Sequence, residues 1–323
     1  MQKISLCKVD IKNSICSNDS QVTEFILLGF STDHVVQVLL FQIFLILYIT
    51  TMAGNLLLIV VVRYDHRLHN SMYIFLANLS FLDICFTSII VPKMLVNFLM
   101  EKKSISYIGC LVQMYGFLLL GETECVLLAF MAYDRYVAIS NPLHYNVIMK
   151  TMTCVGMISA SWLTGSVISS VDIYLLCQLT FCKFTPIDHF FCEAPSLMEL
   201  SCNDLSLFNV VAVKLVGSSI FLLVPLSCIL YSYGHIILAV LKIRSSRYKA
   251  FSTCISHLII VILFYGTAII MYMKPQYSGH LSDKLLSVFY TMVTPMLNPI
   301  IYSLRNKDVQ GAIQHLKRST IKS

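Results

Sequence analysis

An adjacent acid and base, Asp134 and Arg135, close an apolar run that covers residues 110–138. At 1.5 Å per residue a helix of that length reaches roughly 40 Å, enough to cross a bilayer, so the charged pair falls where lipid meets water. Neighbouring helical positions do not face each other. Arg135 is therefore free to exchange Asp134 for a partner on another helix or another protein, which is the chemistry of a switch. The plain alternative is an arginine that snorkels to the interface and does nothing more. Three further acids, Asp83, Glu122 and Glu124, lie inside apolar runs. Carboxylates there face a ligand, hold a cation or proton, or tie helices together through hydrogen bonds. Glu122 and Glu124, two positions apart, point to different faces of their helix. They lack a companion His or Cys pattern, so no catalytic residue, metal or cofactor is expected and the chain is not read as an enzyme.

The elements that must position these groups are membrane helices. The chain is 57% hydrophobic and only 12% charged, against roughly 25% charged in soluble domains, so lipid has to serve as its solvent. Apolar runs at residues 35–62, 72–98, 110–138, 151–172, 208–241, 249–273 and 284–304 predict an all-α membrane protein, a seven-transmembrane helix bundle. The bundle occupies residues 34–304, between an N-terminal tail over 1–33 and a C-terminal tail over 305–323. In that last segment Val309, Ile313 and Leu316 recur at spacings of four and three, which predicts a short amphipathic helix lying on the membrane lipid. Segments on the Arg135 side of the spans hold thirteen Lys/Arg against Asp65, Asp134 and Asp308, whereas the other side holds eight against eleven acids. By the positive-inside rule the N-terminus is outside. Basic residues scattered over short loops do not suit nucleic acid. A transporter or channel would show an internal repeat or paired broken helices, and none is visible.

Several polar residues in the spans need partners. Asn55 is costly in lipid unless another helix satisfies it, and Asp83 is its natural partner. Trp162 is explained by core packing and His257 by an ordinary hydrogen bond in the core. Pro225 permits a kink. The 173–206 segment is long and polar and carries Cys177, Cys182, Cys192 and Cys202; facing an oxidising compartment, such cysteines pair. A metal reading of His189 with them is poor, since no zinc-type spacing is present. Residues 1–33 lack the pattern of a secretory leader, so the first span is expected to do the targeting. Asn18-Asp19-Ser20 fits a glycosylation acceptor at Asn18 in an outside tail.

Fifteen positions, from Met131-Ala132-Tyr133-Asp134-Arg135-Tyr136-Val137-Ala138-Ile139 to Pro142-Leu143-His144-Tyr145, resemble the signature of the rhodopsin-like G-protein-coupled receptors in the form found in olfactory (odorant) receptors. The segments 22–30, 68–83, 188–192, 249–258 and 295–302 resemble the same family, as do Ser232-Tyr233 followed by Ile236. Ser71 departs from it, standing where a proline is usual and putting only the shape of the first inner loop in question. The resemblance implies a multi-pass plasma-membrane receptor that takes a small odorant in the outer half of its bundle and activates a stimulatory, olfactory-type heterotrimeric G protein. It implies switch roles for Asp134, Arg135, Tyr136, Tyr233, Tyr265, Asn298, Pro299 and Tyr302, and an interhelical polar network of Asn55, Asp83 and Glu124. It also implies a Cys110–Cys192 bridge, with Cys182–Cys202 as a second and Cys177 left over. Counting helical turns outward from these motifs gives Phe117, Leu118, Gly121, Glu122, Gly217, Ser218, Phe221, Ala268, Ile269, Tyr272 and Thr291 as ligand-facing positions.

Overall fold

A computed structural model describes residues 23–181, 186–201, 204–242, 247–272, 281–305 and 307–322; side chains at 204–215, 218, 242, 247–253, 272, 303–305, 307 and 317–322 are outside the description. Among the described residues seven helices are long and apolar enough to cross a membrane. They are α1 (His34–Tyr64), α2 (Ser71–Leu99), α3 (Tyr107–Ser140), α4 (Thr151–Cys177), α5 (Asp204–Lys242), α6 (Arg247–Tyr272) and a seventh span built in pieces. That span, read from the sequence as one run over 284–304, is built as α7 (Leu281–Val288), one π turn (Phe289–Val293) and α8 (Thr294–Arg305). The amphipathic α9 (Lys307–Lys322) follows, with Val309 and Ala312 buried, Ile313 and Leu316 packed on the core, and Asp308 accepting a hydrogen bond from the Tyr73 hydroxyl at 3.3 Å.

Helix starts are fixed locally. Asp33 Oδ1 accepts from the amides of Val35 and Val36, Asn70 caps α2 and Ser106 caps α3 through the amide of Gly109, each occupying donors that a helix leaves free in its first turn. Large apolar side chains such as Ile46, Leu163, Val167 and Leu230 point outward, as they must where the solvent is hydrocarbon and burying them against protein gains little. Helices therefore approach through small residues. A Cβ on Gly165 of α4 would lie 2.4 Å from Thr123 Oγ1 and 2.8 Å from the Leu119 carbonyl of α3. Trp162, one turn earlier, does more than pack, donating its Nε1 to Asn78 Oδ1 at 3.3 Å.

The polar end opposite Arg135 carries a three-stranded sheet that the sequence reading did not foresee. Strand β1 (Glu24–Leu27), placed there in the tail, sits between β2 (Ser104–Ser106), antiparallel with Phe25 opposite Ile105, and β3 (Pro186–Ile187), parallel with Leu27 opposite Ile187. Its side chains alternate, Phe25 and Leu27 buried and Glu24 and Ile26 exposed, the period expected of a strand with one covered face. Gly29, at φ +68°, turns the chain from β1 towards α1. Its carbonyl accepts Lys284 Nζ at 2.8 Å, and the same ammonium meets Asp188 Oδ1 at 2.6 Å, so one lysine joins the N-terminal segment, the long loop and α7.

Candidate ligand cavity and switch

Cys110 at the start of α3 is bonded to Cys192, with their Cα atoms 5.5 Å apart. The Cys192 amide donates to Gln113 Oε1 at 2.9 Å, while Gln113 Nε2 reaches the Ile89 carbonyl at 3.1 Å. The loop is thereby held over α2 and α3, and Phe191 stands 5.2 Å from Phe117, centroid to centroid. Cys182 and Cys202 lie outside the described residues, as does Asn18; Phe181 and Ser201, directly before the two cysteines, pair as an antiparallel bridge. Cys177 is a free thiol.

Beneath Phe191 the helices leave a cavity of about 100 Å³. Its wall includes Phe117, Leu118, Gly121, Glu122, Phe221 and Ala268, all positions reached by counting turns from the motifs. Phe86, Cys125, Asp172, Leu222, Phe264 and Tyr290 complete it and were not anticipated. Cys125, Leu222 and Phe264 had a signal, since each is one turn, four residues, from an expected position. Tyr290 had none: the π turn inserts an extra residue, which rotates the facing side by one position and puts Tyr290 where α-helical spacing puts Thr291. Thr291 is fully buried and donates to the Ser287 carbonyl at 2.6 Å. Gly217 and Ile269 are not part of the wall, and the side chains of Ser218 and Tyr272 are outside the description. Phe86, Phe117 and Tyr290 meet edge to face or tilted at 5.4 to 5.9 Å, giving the cavity an aromatic side. Glu122 and Asp172 are its two acids. Glu122→Gln keeps the shape and exchanges the carboxyl for an amide, so receptor at the cell surface is expected to be unchanged while the order of potency across a panel of small ligands changes; an unaltered order would take Glu122 out of recognition.

His189, fully buried in the covering loop, lies against the rings of Phe190 and Phe191, its Nε2 3.8 Å from Glu193 Oε1. Burial, helped by the nearby Lys284 ammonium and opposed by Asp283, pushes its pKa down from 6.5 to about 3. Between those values the unfolded chain binds a proton that the folded chain refuses. The contribution is thus complete above pH 6.5 and erodes as the pH falls towards 3, by up to about 1.4 kcal/mol per unit. Thermal unfolding of the purified protein from pH 7 to pH 4.5 should show this slope, and His189→Asn should flatten it; equal slopes would contradict the assignment.

Towards the other end, a chain of polar contacts runs along α3. Tyr265 of α6 donates its hydroxyl to the carbonyl of Cys125, a cavity residue, at 3.0 Å. Asn298 Nδ2 reaches both oxygens of Asp83, at 3.1 and 3.0 Å, and Glu124 is buried in the neighbouring helix. Asn55 does not pair with Asp83, contrary to the sequence reading. Its amide goes to the Thr51 and Pro295 carbonyls, both at 3.0 Å. Pro299 has no N–H to give the carbonyl four residues before it, and Asn55 takes that vacated acceptor. A Cβ on Gly54 would lie 3.1 Å from Pro299 Cγ, so glycine there lets α1 close on the proline.

At the end of α3, Arg135 Nη2 is 3.3 Å from Asp134 Oδ2, and the arginine side chain is only 11% exposed. Asp134 Oδ1 accepts the Ser71 hydroxyl at 2.6 Å and the Tyr145 hydroxyl at 2.9 Å. Tyr136 meets the His235 ring of α5 at 5.7 Å. The Tyr233 hydroxyl is hydrogen-bonded to His257 Nδ1 at 2.7 Å and so is engaged with α6 rather than with Arg135. Tyr302 is buried beside this group of helices.

The match to known proteins covers nearly all of this architecture. Residues 44–319 fit the family model described as olfactory receptor. The chain belongs to the olfactory receptor family. Human olfactory receptor 10A7 is 47% identical over 303 residues, 93% of this chain and 95% of that protein. Human olfactory receptor 2C3 is 50% identical over 303 residues, covering 93% and 94%, and human olfactory receptor 13C9 is 48% identical over 308 residues, covering 93% and 96%. As an olfactory receptor with seven apolar helices, the chain is a multi-pass membrane protein.

Proposed function

We propose that the cavity under Phe191 takes a small apolar odorant and that its occupancy is passed along α3 to Arg135, which engages a stimulatory, olfactory-type G protein. The supporting observation is a single helix that carries Phe117, Gly121 and Glu122 in the cavity wall and Asp134-Arg135 at its far end, about 20 Å apart at the α-helical rise. In this reading the sheet end and the N-terminus face outside, the Arg135 end and α9 face the cytoplasm, and the protein works in the plasma membrane.

The energetics are modest and sufficient. Burying about 200 Å² of odorant surface gives roughly 5 kcal/mol at 25 cal/mol per Å², of which association consumes a part, so weak and graded recognition follows. A ligand need only bind the active arrangement better than the resting one. In the resting one Arg135 pairs with Asp134 and Tyr233 with His257; activation parts both pairs and lets the tyrosine approach the guanidinium. The polar set of Asp83, Glu124 and Asn298 lies between cavity and switch, where a proton or cation would bias the same equilibrium.

The test is cyclic-nucleotide production in cells expressing the receptor with a stimulatory α subunit, screened against a broad panel of volatile compounds. A concentration-dependent rise absent from mock-transfected cells is expected. Epitope mapping that put the Arg135 end outside the cell would overturn the proposal.

A further inference from the structure

Asp134 is fully buried, and a carboxylate in that position needs a partner for each oxygen. Arg135 faces Oδ2 as an ion pair, its Nη2 3.3 Å away, without making a hydrogen bond to it. The other oxygen is held by Ser71 from the first turn of α2 and by Tyr145 from the helical turn Tyr145–Ile148 that follows α3. With one hydrogen each, the two hydroxyls also lie within hydrogen-bonding reach of each other, so that either can donate to the carboxylate or to its neighbour. Three elements therefore converge on one carboxylate. Ser71 is itself buried and is the first residue of α2, whose cap is Asn70, so its hydroxyl is not needed to start the helix. The olfactory receptors that this segment resembles usually have proline there, a residue that fits a first helical position equally well and brings no donor.

We propose that Ser71 is a positioning residue that sets the resting bias of the switch: its hydroxyl fixes Asp134 against Arg135, so that ligand-independent coupling is lower than it would be with the usual proline. The inference rests on the receptor reading above. Both hydroxyls lie on the same oxygen, which turns Oδ2 towards the guanidinium at ion-pair distance. Removing one loosens the carboxylate, and with it the pair that keeps Arg135 from a G protein.

The test needs no ligand. Energy transfer between the full-length receptor and a stimulatory G protein, divided by receptor at the cell surface, is compared with mock-transfected cells. Ser71→Ala and Ser71→Pro should each raise the signal about three- to tenfold, the scale of part of one hydrogen bond to a charged group, and Ser71→Thr should stay near wild type. Tyr145→Phe should also raise it, and the double variant with Ser71→Ala should give less than the product of the two effects, since both act on one oxygen. A signal per surface receptor that is unchanged or lower in both Ser71→Ala and Ser71→Pro overturns the proposal, as does loss of both from the surface, which marks a purely structural serine. Arg135→Ala separates the two failures. If it removes the wild-type signal while the Ser71 variants match wild type, only this inference falls; if the wild-type signal is indifferent to Arg135, the receptor reading falls first.

Discussion

Arg135→Ala is expected to cut odorant-driven cyclic-nucleotide production by tenfold or more, within the range of about 5- to 150-fold typical of coupling between sites, while leaving receptor at the cell surface close to wild type. The separation of the two effects follows from the contacts. Asp134 is the group most exposed to harm when the guanidinium goes, since an uncompensated buried charge is costly. Yet it keeps the Ser71 and Tyr145 hydroxyls on Oδ1, so the end of α3 retains its tie to α2. What is lost is the forked donor that Tyr233 and a G protein would meet once Tyr233 leaves His257. Arg135→Lys should not restore the response, because an ammonium presents a point charge where a planar fork is required. The measurement is a dose–response curve normalised to surface receptor counted through an N-terminal tag. An undiminished curve would show that the arginine only anchors the helix at the interface.

Spans, their order and the charged pair at the end of α3 were legible in the sequence because each follows from local pattern: apolar length, charge asymmetry and contiguous motifs. The cavity was half legible. Counting by turns found Phe117, Leu118, Gly121 and Glu122 because α3 is regular throughout, and it failed in the seventh span because a π turn changes the phase of every residue beyond it. The wall residues Phe86 and Asp172 come from α2 and α4, where no ligand-facing position was expected, and the rotation of those helices about their axes is set by packing rather than by their own sequence. The Asn55 assignment failed for a related reason. The side chain was expected to seek the strongest acceptor nearby, whereas the acceptor within its reach is the carbonyl that Pro299 leaves unbonded. Strand β1 is four residues long and gains its partners only when the 104–106 and 186–187 segments fold onto it, so no periodicity in so short a stretch announces it. The consequence of Ser71 was the least visible of all. As a departure from a motif it bore only on the shape of a loop, and its bond to Asp134 joins residues 63 positions apart.

Gly165→Val is expected to remove most of the receptor from the cell surface. In α4, Ser161, Gly165 and Ser169 recur every four residues, and both serines are fully buried. Their hydroxyls are satisfied within the helix, by the Met157 carbonyl at 3.0 Å and the Gly165 carbonyl at 2.7 Å, so this face meets α3 as a surface of small size rather than of polarity. Close approach of that kind supplies van der Waals contact where lipid removes the hydrophobic driving force between helices. At Gly165 the approach leaves no room for a side chain. Thr123 Oγ1, 2.4 Å from a Cβ, is already committed to the Leu119 carbonyl, and that carbonyl itself is 2.8 Å away. A side chain can rotate, but backbone cannot, so valine has to push α4 away from the helix that carries both cavity and switch. Overpacking of a tight core costs about 1–3 kcal/mol, a large fraction of a marginal stability. Gly165→Ala should show a smaller loss in surface level and in unfolding temperature in detergent, and adding Thr123→Ala should recover part of it by removing the nearer atom while the carbonyl stays. A Gly165→Val receptor that reaches the surface at wild-type level would mean that α3 and α4 do not meet here as closely as described.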